Sequence, residues 1–118
     1  MLYTEFTVKD KTYKLRLTTM GVMTLEDKLG RNPVEIFMDL SNGTLPKVRD
    51  IVYILHQSLQ PYHNGFSVEK AAELLDSAAE EGKSIYDFIT NEVMQVFRNA
   101  GLLGNESDES ENEEEGKN

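Results

Sequence analysis

Hydrophobic and polar positions alternate with period two at the start of the chain. Leu2, Thr4, Phe6 and Val8 share one face over residues 2–8, and Tyr13, Leu15 and Leu17 oppose Thr12, Lys14 and Arg16 over residues 12–17. This is the periodicity of half-buried strands. The intervening Lys9-Asp10-Lys11 is short and polar, which predicts a hairpin even without the Asn-Gly or Asp-Gly pair that most strongly favours a tight turn. A lone two-stranded hairpin is marginal in water, so its apolar face must rest on the remainder of the chain.

From residue 18 the apolar spacing becomes helical. Thr18 or Thr19 caps a helix over 20–29, with Met20, Met23 or Val22, Leu25 and Leu29 on its stripe and Gly30 as the stop. Asn32, Pro33 and Glu35 form a capping-box-like start for a short helix over 33–40, which ends at Ser41-Asn42-Gly43. Pro46 opens a helix over 46–59 whose stripe, Val48, Ile51, Val52, Leu55 and Leu59 widened by Ile54, marks it as central. Ser67 caps a helix over 68–81 that carries Val68, Ala71, Leu74, Leu75 and Ala78 and stops at Gly82. Ser84 with Asp87 repeats the capping pattern for a last helix over 85–99, with Ile85, Phe88, Ile89, Val93, Met94 or Val96, and Phe97 inward. The predicted fold is mainly α (small α+β): one domain over 1–104, with an N-terminal β-hairpin and five helices.

Composition changes this picture at one end only. The 118 residues have a net charge of -9, of which the seven acids and single lysine beyond Gly104 carry -6, so residues 1–104 hold -3. Residues 105–118 contain no aliphatic or aromatic side chain and cannot bury enough surface to offset the entropy of ordering, so a disordered acidic tail is expected. There is no apolar run long enough to span a membrane, and Met1-Leu2-Tyr3-Thr4-Glu5 lacks the layout of a secretion signal, which together predict a cytoplasmic protein.

The absence of cysteine removes disulfides, thiolate metal sites and cysteine nucleophiles. His56 and His63 straddle Pro61, so they do not form an i, i+4 ligand pair, and the glycines never cluster into a phosphate-binding pattern. Ser58 and Ser77 lie within predicted helices rather than on a strained turn. These features predict no enzyme, no cofactor and no metal. Lys9, Lys11, Lys14 and Arg16 cluster on the hairpin, but no helix carries a basic stripe, so no nucleic-acid partner is expected. What remains is surface for other proteins. Tyr62, His63 and Phe66 in one loop form a candidate contact site, with Met20 and Met23 as further adaptable side chains, although Phe66 is also placed to act as a hydrophobic staple against Ala71. Glu106, Asp108, Glu109, Glu111, Glu113, Glu114 and Glu115 form a candidate electrostatic arm.

Five short motifs occur in one order: Tyr13-Lys-Leu-Arg-Leu-Thr-Thr19, then Leu25-Glu26, then Leu29-Gly-Arg-Asn-Pro33, then Ile54-Leu-His-Gln-Ser-Leu-Gln60 with Tyr62-His-Asn-Gly65, and finally Asn99-Ala-Gly-Leu-Leu103. The series, covering about residues 10–103, resembles the tail assembly chaperones of long-tailed phages and prophages. The resemblance implies a small, largely helical protein that coats the tape-measure protein, keeps it soluble and helps recruit tail-tube protein. It further implies self-association, a place in the host cytoplasm during assembly and absence from the mature virion. Some members of that family also exist in a longer, frameshifted form, and this chain would be the short one. Two other classes are compatible with an acidic helical domain: a structural head-tail connector or other virion component, and an acidic regulator that masks a basic or nucleic-acid-binding protein.

Overall fold

The computed structural model describes residues 2–104. Its element order is β1 (Thr4–Val8), β2 (Lys11–Leu15), α1 (Thr19–Leu29), α2 (Glu35–Ser41), α3 (Val48–Leu59), α4 (Val68–Glu80) and a last helix, α5. α5 is continuous from Ile85 to Asn99 but is built of three stretches: an α-turn over Ile85–Phe88, a π-helical stretch over Ile89–Val93 and an α-helical end over Met94–Asn99. The fold is thus the expected hairpin followed by five helices. Among the described residues no helix is long and apolar enough to cross a membrane.

The strands pair antiparallel with Thr4 opposite Leu15, Phe6 opposite Tyr13 and Val8 opposite Lys11. Lys9 and Asp10 alone therefore make the turn, and both have positive φ, 51° and 66°. Two left-handed residues between paired strands are the geometry of a type I′ turn, which glycine or asparagine usually supplies. Here α4 fastens it from outside. The Lys9 backbone N–H donates to Glu81 Oε1 at 2.7 Å, and Lys9 Nζ meets Glu80 Oε1 at 2.6 Å. The two carboxylates lie at the negative end of α4, and the lysine offsets that unfavourable placement. The same contact holds Glu80 below the usual carboxylate range and raises Lys9, through the hydrogen bond first and the charge second.

Three of the five helices begin with the side-chain caps their sequence predicts. Thr18 Oγ1 accepts from Gly21 N–H, Ser67 Oγ from Lys70 N–H, and Ser84 with Asp87 forms a reciprocal capping box with both bonds at 3.0 Å. Asn32 Oδ1 accepts from Val34 N–H while Glu35 Oε2 accepts from Asn32 N–H, so the capping-box-like start is present, although Pro33 and Val34 form a turn and regular helix begins at Glu35. Gly30 ends α1 with φ 71°, donating its N–H to the Glu26 carbonyl.

The core is a single cluster. Phe6, Val8, Leu15 and Leu17 from the hairpin region pack together with Leu25, Ile36, Ile51, Ile54, Leu55 and Leu59 and with Ala71, Leu74, Leu75, Ala78, Phe88, Ile89, Val93, Val96 and Phe97. Phe6 packs on Phe88 with ring centroids 4.8 Å apart, and Phe37 of α2 meets Phe97 of α5 edge-on at 5.2 Å. Arg16 N–H donates to the Ser58 carbonyl at 2.9 Å, tying the end of β2 to α3. One residue of the predicted central stripe departs from it: Val48 is 58% exposed, because α3 starts at Val48 rather than at Pro46 and its inward face begins one turn later at Ile51.

Candidate functional site

The loop after α3 is closed by its own backbone. His63 N–H donates to the Leu59 carbonyl, Phe66 N–H to the His63 carbonyl, and Gln60 Nε2 donates to the carbonyls of both His56 and Phe66. It then lies across the hairpin. Lys14 backbone N–H donates to His63 Nε2 at 3.0 Å, and Tyr13 meets the rings of His63 and Phe66 edge-on at 5.4 and 5.9 Å. Tyr62 meets Tyr3 at 5.6 Å, and Lys14 Nζ lies over both of those rings, 4.8 Å from Tyr3 and 5.6 Å from Tyr62.

Of the three loop residues singled out by type, Phe66 and His63 therefore spend their faces within the fold, and Tyr62 keeps an exposed flank. His63 must be neutral to accept the Lys14 bond. Partial burial lowers its pKa first, and the cations Lys11 and Lys14 lower it further. Residues Glu106, Asp108, Glu109, Glu111, Glu113, Glu114 and Glu115 lie outside the described residues.

A second surface escaped residue-type reasoning. Leu45, Pro46 and Val48, leading into α3, face Ile85, Tyr86 and Ile89 at the start of α5 across a half-open apolar hollow of about 200 Å³. Leu45 is 75% exposed, Val48 58% and Tyr86 56%. Large apolar side chains gathered this way are a contact surface more readily than a failed core. The floor of the hollow includes Ile89, the first residue of the π-helical stretch. The available sequence signal was Tyr86, an aromatic residue off the stripe of the last helix, together with a Leu-Pro step directly before an apolar helix start.

Among the described residues no group of three or more His, Asp or Glu side chains is gathered as a metal would need. A partly buried ion pair, Lys83 with Glu92 at 2.7 Å, ties the α4–α5 turn to the π-helical stretch, and Lys83 Nζ also lies 5.2 Å from the Phe6 ring centre. Arg31 bridges Glu35 and Asp39 at 3.2 and 2.8 Å and braces α2 against the end of α1.

Compared with known protein families, residues 4–115 match a family of unknown function, DUF6096. The chain belongs to that family. The matched span takes in the hairpin, all five helices and most of the acidic segment beyond Gly104. No curated protein and no solved structure matches the chain. Its shared description assigns the family no activity, so function rests on the surfaces just described and on the motif series in the sequence.

Proposed function

We propose that this protein is a tail assembly chaperone of a long-tailed phage or prophage. It binds the tape-measure protein, keeps that long helical chain soluble and helps bring tail-tube subunits to it in the bacterial cytoplasm, without entering the mature virion. The observation that carries the reading is the ordered series of five motifs between Tyr13 and Leu103.

The fold gives these motifs a physical reason to occur together. The first, Tyr13 to Thr19, runs from β2 to the cap of α1; the fourth, Ile54 to Gly65, is the end of α3 and the following loop. They meet in the Lys14–His63 and Arg16–Ser58 bonds and in the stacked edges of Tyr13, His63 and Phe66. Much of the series thus maintains the frame, which leaves exposed surfaces such as the Leu45–Tyr86 hollow free to bind. A small frame with an open apolar hollow and an acidic segment that discourages uncontrolled stacking suits a protein that coats a partner in many copies.

The test is capture of an N-terminally tagged copy from its own source during particle production, at low salt, with the co-purifying proteins identified by mass spectrometry. A very long helical protein together with a tube subunit is the expected recovery. Finding the protein itself as a stoichiometric part of purified virions would overturn the reading in favour of a structural connector, and recovery of host nucleic-acid enzymes alone would favour a masking regulator.

A further inference from the structure

We infer that β1 pairs edge to edge with β1 of a second copy of this chain, antiparallel across a two-fold axis through Phe6, and so joins two hairpins into one four-stranded sheet. The inference goes beyond the chaperone reading and rests on the geometry of the hairpin alone.

The two edges of the hairpin are finished differently. Its two-residue turn makes Val8 and Lys11 a hydrogen-bonded pair, and alternation makes Phe6 with Tyr13 and Thr4 with Leu15 the other bonded pairs, so Glu5 and Thr7 aim their backbone groups away from β2. Neighbouring outward groups follow the same alternation. Lys14 N–H leaves β2 for His63 Nε2, Arg16 N–H leaves it for the Ser58 carbonyl, and Lys9 N–H leaves the end of β1 for Glu81 Oε1. The His63 loop thus lies along the β2 edge and denies it to another strand. On the β1 edge, among the described residues, the N–H and C=O groups of Glu5 and Thr7 have no partner, and both residues are exposed. β1 also lacks the proline or bulge that commonly guards an edge, since it pairs one to one with β2 from Thr4 to Val8.

These free groups are self-complementary. β1 has five residues with Phe6 at its middle, and Glu5 and Thr7 lie symmetrically about it. A two-fold axis there sets Glu5 opposite Thr7 of the second copy and Thr4 opposite Val8, so the strands overlap along their whole length and the two donors and two acceptors of each edge are all used. Other registers use the edge less well. Centring the axis on Glu5 sets two carboxylates face to face, and centring it on Thr7 calls on the Lys9 N–H already given to Glu81. Other occupants fit less well too. A free peptide must be ordered from an unfolded chain to gain bonds at only two residues, whereas β1 of a second copy is already extended and held by its own hairpin. The chain's segment after Gly104 would bring further acids to Glu5, and acidic residues are poor strand formers.

The test begins with sedimentation velocity of the full-length protein over a range of concentrations at about 1 M salt, where a Debye length of roughly 3 Å screens two chains of net charge -9 from each other. A monomer–dimer equilibrium is expected, and Thr7→Pro, which removes an outward N–H that the hairpin does not use, is expected to weaken the dimer at least tenfold with the cooperative melt retained. Because the chain has no cysteine, single cysteines then report the register. Opposed positions have Cα atoms about 5.5 Å apart, within disulfide reach, while diagonal ones lie at roughly 7–8 Å, beyond it. Oxidation of Glu5→Cys mixed with a tagged Thr7→Cys is therefore expected to give the mixed cross-linked dimer, and either variant alone to give none. Should Thr7→Pro fail to fold, this cross-link decides alone. A monomer at every concentration, a dimer indifferent to a folded Thr7→Pro, or cross-linking of one variant with itself but not in the mixture overturns the inference. Since only the purified chain takes part, a β1 dimer with failed capture of a tape-measure protein keeps this interface and removes the chaperone reading; successful capture by a chain that stays monomeric does the reverse.

Discussion

At the scale of single residues, His63 shows how one hydrogen bond couples a loop to a distant hairpin. Its Nε2 accepts from the Lys14 backbone, so the bond exists only while the imidazole is neutral. Burial, with Lys11 and Lys14 close by, depresses its pKa in the folded state below the ordinary value of about 6.5. The sign follows from linkage. Above about pH 6.5 neither state binds the proton and the bond contributes fully; as pH falls below that value the unfolded chain takes up a proton that the folded chain resists, and stability is lost until the folded pKa is passed. Thermal melts between about pH 7.5 and pH 5 should fall by several degrees, corresponding to about 1 kcal/mol for one such bond. The carboxylates Glu80 and Asp87 have depressed pKa values, so their own contributions are lost only at more acidic pH and do not mask this window. His63→Asn should start less stable at neutral pH and show a flatter dependence; an unchanged slope would assign the effect to other groups.

At the scale of elements, α5 carries an unusual turn for a reason visible in its spacing. At about 100° per residue, Ile85, Phe88, Ile89, Val93, Val96 and Phe97 would spread over roughly 180° of a regular helix, too wide for one buried stripe. The π-helical stretch Ile89–Val93, with Met94 N–H donating to the Ile89 carbonyl, absorbs one extra residue and rotates the following side chains back, which narrows the arc to about 120°. Val93, Val96 and Phe97 can then join Phe88 and Ile89 in the core. Removing the extra residue should therefore be tolerated. Deletion of exposed Asn91 is expected to preserve a cooperative melt with helix content nearly unchanged, whereas deletion of exposed Asp76 from the regular α4 should swing Ala78 out of register and lower the midpoint sharply, as followed by circular dichroism. Equal damage from both deletions would contradict this account of the turn.

For the whole molecule, the elements converge on one core that ends with Phe97, supported at its edge by Ala100, Leu102 and Leu103. A chain ending at Gly104 should accordingly keep its cooperative melt while its net charge rises from -9 to -3, a change checked by differential scanning calorimetry and gel electrophoresis. Loss of the transition would place part of the core beyond Gly104. The sequence alone determined the hairpin, the number and order of helices and their caps, because period, capping side chains and glycine stops are local and act within a few residues. Only the tertiary structure decided what those elements present to a partner. It folded His63 against the hairpin, although its residue type read as contact surface, and it brought Leu45 and Val48 opposite Tyr86 some forty residues away in the chain to make a hollow. Local signals say which face of a helix is apolar, but whether that face is covered depends on which distant element packs across it, and that is settled only when the core closes.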